Sequence, residues 1–165
     1  MSIIYRSVRV GKNEKPFYLY KVRTMIKGAD KLGPPSTAGD DKRLTKIGLF
    51  LRKFKIDELP QLWNVVKGDM RLVGPRPEVP GVVDMMTQHE KDIIFSVKPG
   101  LVDLATIWNM HEEDRLSEKE DPHKFYLENI WPTKKLLQIE YINTRSLWLD
   151  LKIILICLRK LILRY

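Results

Sequence analysis

Two adjacent carboxylates, Asp57 and Glu58, sit in a strongly basic neighbourhood. Lys42, Arg43, Lys46, Arg52, Lys53 and Lys55 crowd upstream, and Arg76 follows in a Gly-Pro-Arg-Pro turn. An acidic pair ahead of an apolar helix is, on its own, an N-terminal cap favoured by the helix dipole. Arginines on both sides change that reading. Carboxylates framed by guanidinium groups at a helix start suit phosphate handling, because the planar fork binds phosphate oxygens bidentately and the helix N-terminus adds positive potential.

The elements that must position these groups can be read from spacing. "IIYRSVRV" and "FYLYKVRTM" are rich in β-branched and aromatic residues and flank the turn-like "GKNEKP", which predicts a β-hairpin. Residues 27–41 hold three glycines and two prolines and read as a loop. Leu44, Ile47, Leu51 and Phe54 recur at helical spacing. A second helix follows, with Asp57 as N-cap, Pro60 at the third helical position, an apolar face of Ile56, Leu59, Leu62, Trp63 and Val66, and Gly68 as its stop. Trp63 is expected in the core. "LVGPRPEVP" is a rigid turn, residues 79–90 suit a further helix, and "SVKPGLVDLATIW" reads as loop and extended segment. "HEEDRLSEKEDP" is an acidic, solvated stretch, and two helices are expected from Pro122 onward.

The whole reads as α+β, a mostly helical single domain over residues 1–165 with a small N-terminal β-hairpin and amphipathic, membrane-associated helices. The last helix, about Ser146 to Leu163, is expected on the membrane surface. Its longest unbroken apolar run, "IILICL", is too short to span a bilayer. Asp150, Lys152, Arg159 and Lys160 would have to enter hydrocarbon if it did. A buried core helix is the competing reading.

Net charge is +8, which favours anionic partners: phosphates, nucleic acid or an anionic membrane. Nucleic acid is the weakest of these. Residues 44–67 look like a helix-turn-helix, but that motif meets DNA with the start of its second helix, where Asp57 and Glu58 would repel phosphate. Cys157 is the single cysteine and reads as apolar filler; His89, His111 and His123 lack metal-ligand spacing. Residues 1–10 carry Arg6 and Arg9 but no apolar signal-peptide core.

"FYLYKVRTM", "LTKIGLFLRKFKIDELPQLWNVVKGDMRLVGPRPE", "VKPGL" and "YINTRSLWLDLKIIL" follow one another in this order. In that order they resemble the bacterial sugar transferase family, the monotopic phosphoglycosyl transferases that begin surface-glycan assembly. The resemblance implies transfer of a phospho-sugar from a UDP-sugar to polyprenyl phosphate, with release of UMP, at the cytoplasmic face of the bacterial inner membrane. It implies Asp57 as nucleophile, Glu58 as its partner associated with Mg²⁺, and Arg52 and Arg76 as phosphate ligands. Lys21, Arg23 and Lys98 are further cations that could touch substrate phosphate, although an exposed position explains them about as well. Gly74, Pro75 and Pro77 shape the turn.

Two departures from the family stand out. Its members usually carry an N-terminal helix that enters and leaves one membrane face. Here the chain begins where the globular portion would, so a partner subunit or a missing anchor segment is expected. Many members also have Thr-Gly after the "KPG" turn, where this chain has Val102-Asp103 after Leu101, read as a substrate-side difference. A non-catalytic relative acting as a membrane-surface interaction module is the alternative.

Overall fold

The computed structural model describes residues 2–34 and 36–163. The hairpin forms as its alternation requires: β1 (Ile4–Val10) pairs antiparallel with β2 (Pro16–Val22), with Tyr5 opposite Lys21 and Arg9 opposite Phe17. Tyr5, Ser7 and Arg9 are partly buried on one face of β1, while Ile4, Arg6 and Val8 are exposed on the other. The hairpin turn is held against the rest of the chain by Asn13 N–H donating to the Phe95 carbonyl at 2.8 Å.

α1 (Lys46–Lys53) starts at Thr45, whose hydroxyl accepts from Gly48 N–H at 2.9 Å. Thr24 holds this helix from outside: its carbonyl accepts from Thr45 N–H, and its hydroxyl accepts from Arg52 Nε at 2.9 Å. The loop over residues 27–41 is tied down by Arg43, whose guanidinium donates to Asp41 and to the Ala29 and Pro34 carbonyls.

After α1 the chain turns through Lys55, a non-glycine residue at φ 54°, into a 3-10 turn, Ile56–Glu58. Asp57 is therefore inside that turn and caps nothing. α2 (Gln61–Lys67) begins after Pro60, which stands at its N-cap, and ends at Gly68 with φ 80°, the left-handed stop expected of a glycine. The amphipathicity of α2 runs opposite to expectation. Gln61 and Asn64 are buried, whereas Leu59, Leu62, Trp63 and Val66 are exposed, Trp63 by 58%. Hydrogen bonding explains the inversion. Asn64 accepts from Tyr20 N–H and donates to the Tyr18 carbonyl, so one side-chain amide completes the edge of β2 as a neighbouring peptide would.

β3 (Arg71–Val73) pairs in parallel with β4 (Gly100–Val102). The two backbones nearly touch: a Cβ on Gly100 would lie 2.1 Å from the Gly74 nitrogen. Between the strands lie α3 (Pro80–Val83) and α4 (Gln88–Ile94). The single helix expected over 79–90 is thus two, because Thr87 and Glu90 form a capping box that starts a new helix. The extended segment expected after the "KPG" turn is β4 itself, and α5 (Leu104–Trp108) follows it, started by a second box in which Asp103 accepts from Thr106 N–H at 2.6 Å.

α6 (Glu112–Leu116) and α7 (Pro122–Phe125) follow, then a π-turn, Tyr126–Ile130, that runs into α8 (Trp131–Thr144) and finally α9 (Leu147–Leu163). The acidic stretch is not merely solvated: Glu113 pairs with Lys55 at 3.0 Å and Glu112 with Lys134 at 3.1 Å. Two buried clusters organise these helices. One gathers α3, α4 and the Tyr126–Trp131 segment; the other joins Val73, Met110, Tyr141, Ile153 and Cys157, and Ile142 packs against both. α9 turns Ile153 and Cys157 inward but leaves Leu147, Trp148 and Ile162 about four-fifths exposed. Among the described residues no helix is long and apolar enough to cross a membrane.

The Gly74–Gly100 contact fixes the loop that carries Arg76, so it gives a direct test. Gly100→Ala must push the strands apart and should destabilise the protein by about 1–3 kcal/mol or more, read as a lower urea midpoint.

Candidate active site

The site is assembled by three segments that are distant in sequence. The 3-10 turn supplies Asp57 and Glu58, β2 supplies Lys21, and the loop after β3 supplies Arg76. Glu58 Oε1 accepts from Lys21 Nζ at 3.1 Å and also from Arg76 Nη2. Arg76 donates through Nη1 to the Leu101 carbonyl at 3.2 Å, which aims the guanidinium. Its own backbone N–H donates to Asp103 at 3.2 Å, and its carbonyl accepts from Gln138 Nε2.

Asp57 is 5% exposed, and its Oδ1 is closed to solvent with no hydrogen-bond partner. Leaving a buried acceptor unpaired is unfavourable, so this oxygen is an available ligand or nucleophile. Burial pushes the Asp57 pKa up; Lys21 and Arg52 oppose the shift and Glu58 adds to it. Burial would also raise Glu58, but the charges of Arg76 and Lys21 outweigh it and hold this carboxyl well below the usual range. Neighbouring carboxylates are therefore displaced in opposite directions. Lys21 is lowered, by burial first, with Glu58 opposing and Arg76 assisting. Arg52 is lowered by burial while the charge of Asp57 acts to keep it ionised.

Asp57, Glu58, Arg52, Arg76 and Lys21 thus converge. Two other candidates do not join them. Arg23 is drawn to the open end of the hairpin, where Nε donates to the Ser2 carbonyl and the guanidinium lies 5.4 Å from the Tyr5 ring centroid. Lys98 is exposed, with Nζ beside Gly68 at the far end of α2. Asp103, one of the two residues that depart from the Thr-Gly pattern, is fully buried and bonded to Arg76 and Thr106, so it supports the arginine loop. Sequence spacing missed Asp103 and Gln138, since both act across chain separations of 27 and 62 residues. The capping-box pattern Asp103-x-x-Thr106 was the one local signal.

Among the described residues no cluster of three or more His, Cys, Asp or Glu could enclose a metal. A divalent ion that takes one or two carboxylates and completes its shell with substrate phosphate still fits the donor set, given the unpartnered Asp57 Oδ1 beside Glu58.

The opposite shifts give opposite pH signatures. For Glu58 the folded pKa lies below the ordinary 4.5, so its stabilising contribution is present above that pH and is lost as pH falls below it. For Asp57 the folded pKa lies above the ordinary 3.8, so the ionised form costs stability once pH rises through the folded value. Asp57→Asn should therefore raise Tm at pH 7, by an increment that shrinks on acidification. Glu58→Gln should lower it by leaving Lys21 and Arg76 without a counter-charge, about 3–5 kcal/mol for a fully buried pair and less for this partly exposed one. Thermal unfolding of the three proteins from pH 3 to 8 reads both effects.

Comparison with known proteins identifies the family. The family model for bacterial sugar transferases matches residues 1–164. The chain is 38% identical over 160 residues to the uncharacterized sugar transferase EpsL of Bacillus subtilis, a match that covers 97% of this chain and 70% of that protein. It is 34% identical over 166 residues to the UDP-N-acetylgalactosamine-undecaprenyl-phosphate N-acetylgalactosaminephosphotransferase of Aeromonas hydrophila, covering 97% of this chain and 35% of the relative. A UDP-glucose:undecaprenyl-phosphate glucose-1-phosphate transferase of Caulobacter vibrioides is 35% identical over 154 residues, covering 92% and 54%. The chain thus spans roughly a third to a half of the length of these last two. With a matched model over nearly every residue and the acidic pair set among its arginines, the chain belongs to the bacterial sugar transferase family.

Proposed function

We propose that this chain is the catalytic domain of a phosphoglycosyl transferase that moves a phospho-sugar from a UDP-sugar to polyprenyl phosphate and releases UMP. One observation carries the reading: Glu58 is occupied by Lys21 and Arg76, which leaves Asp57 buried beside them with an unpartnered oxygen. The names of the relatives, which describe transfer of sugar phosphates to undecaprenyl phosphate, support the same chemistry.

In the first displacement an Asp57 oxygen attacks the sugar-bearing phosphorus. A new O–P bond forms, the bond to the outer phosphate breaks, and UMP leaves with that electron pair. The product is an acyl phosphate carrying the sugar, which splits one difficult transfer into two. In the second, a phosphate oxygen of the polyprenyl acceptor attacks the same phosphorus and the Asp57 carboxylate is freed. Arg76, Lys21 and Arg52 stabilise the charge that gathers on the transferring group. Asp57 must be ionised to attack, so its raised pKa places the acid limb of the rate profile above that of an ordinary carboxylate. Asp57 and Glu58 would hold Mg²⁺, with Glu58 offering the oxygen that Lys21 and Arg76 leave free. The ion would neutralise diphosphate charge when bound.

The acceptor is a lipid, and the site lies among exposed apolar side chains. Ile47, Phe50 and Phe54 precede the acidic turn, and Leu59, Leu62, Trp63 and Val66 follow it. Exposed apolar side chains concentrated on either side of one turn mark an interaction face, and a membrane surface is the occupant that this chemistry calls for. Exposed Leu147, Trp148 and Ile162 support the same role for α9.

Incubation with labelled UDP-sugar and no acceptor should leave a phospho-sugar on Asp57, located by peptide mapping. Asp57→Asn should abolish it, Arg76→Ala should lower kcat on the order of 100-fold or more, and excess chelator should suppress turnover. Label on another residue, or undiminished turnover by Asp57→Asn, overturns the assignment. Absence of both adduct and UMP release, with vesicle binding intact, points instead to a non-catalytic membrane-surface module.

Flotation with anionic vesicles tests the lipid face. Replacing Leu62, Trp63 and Val66 together by serine should weaken vesicle binding at least tenfold with little change in Tm, since these side chains are exposed. Unchanged flotation assigns the face to another partner.

A further inference from the structure

We infer that Arg9 binds the phosphate standing in line with Asp57 across the reacting phosphorus, namely the outer phosphate of the sugar nucleotide in the first displacement and the acceptor phosphate in the second. The inference rests on the two-step transfer proposed above.

Arg9 belongs to the inward-facing set of β1. Its strand end is fastened to the arginine loop by Val10 N–H donating to the Glu78 carbonyl at 3.2 Å. Among the described residues the Arg9 side chain makes no hydrogen bond or ion pair, and its Nε is closed to solvent without a partner. The hydroxyl of Ser7, the next inward residue on the strand, is buried and unpartnered as well. Glu78, the anion whose charge acts most strongly on Arg9, is shared with Lys134 at 3.7 Å. A buried guanidinium with no anion of its own is unfavourable unless a ligand supplies one.

The hairpin register says which phosphate that is. Lys21, which holds Glu58, stands opposite Tyr5, and Arg9 lies four residues farther along the same inward face of β1. Arg9 is thus displaced along the hairpin from the Lys21–Glu58 contact toward the arginine loop, which Val10 meets at Glu78. Phosphoryl transfer requires attacking and leaving oxygens roughly in line. UMP therefore departs on the side away from Asp57. Because Asp57 is the leaving group of the second step, the acceptor phosphate must enter through the position that UMP vacated. One cation at the outer position serves both.

Calorimetric binding of UMP and of uridine to the wild-type chain, Arg9→Gln and Arg9→Lys tests this, with circular dichroism to verify folding. Uridine lacks the phosphate, so the ratio of the two affinities isolates the contact. Arg9→Gln should reduce that ratio about tenfold or more, and Arg9→Lys should fall between, because it keeps the charge and loses the fork. Adduct formation on Asp57 and transfer from the adduct to polyprenyl phosphate should both slow in the variants. A wild-type ratio in either folded variant overturns the assignment, and Arg9→Lys decides alone if Arg9→Gln does not fold. Slowing confined to the second step overturns the shared position. Failure of the wild-type chain itself to form the Asp57 adduct or to prefer UMP over uridine overturns the underlying reaction, and so is distinguishable from failure at Arg9.

Discussion

Glu58 is the constraint on which the rest depends. One carboxylate joins the hairpin through Lys21 and the proline-flanked loop through Arg76, while its own turn is held by the left-handed Lys55, itself paired with Glu113. Three segments with no local reason to meet are brought together by charge in a partly buried setting. Removing one member of such a set leaves the others uncompensated, which is what makes the arrangement cooperative. The backbone around it is made equally unforgiving by the touching Gly74 and Gly100, and by Asp103 holding the Arg76 N–H.

The engagement of Glu58 divides the work between two chemically equivalent neighbours. Glu58 is held ionised by two cations and acts as a structural anion, while Asp57, shielded from solvent, keeps an oxygen without a partner. A buried carboxylate left unpartnered in this way costs stability, and functional sites commonly trade stability for activity. The nearby cations face the same tension, since Lys21, Arg9 and Arg52 are each lowered chiefly by burial, and an anion beside them favours their charged forms.

The same packing decides the surface. The hairpin edge is completed by Asn64, an amide able to imitate a peptide, so the polar side of α2 goes inward and its apolar side goes outward. Burying the polar Asn64 against the hairpin and displaying Leu62, Trp63 and Val66 are two results of one choice of helix face. α9 repeats the theme, with Ile153 and Cys157 sufficient to anchor it and most of its apolar residues left outside.

Much of this was legible in the residues alone. Alternation defined the hairpin, Gly68 stopped α2, and the order of the motifs pointed to the family. Those features depend on residues a few positions apart or on a long contiguous pattern. What tertiary structure alone decided are the pairings across distance. It set which carboxylate is neutralised, over separations of 37 and 18 residues, and drew in Lys21 but not Arg23 or Lys98. It also made Asp103 a support for the arginine loop and turned Arg9 inward without a partner. Trp63 shows the limit most plainly. Its apolarity and helical spacing predict a core residue, and it is exposed because the polar Asn64 completes the hydrogen bonds of a strand more than forty residues away in sequence. Local pattern measures how apolar a face is; unsatisfied backbone groups elsewhere in the chain determine which face is buried.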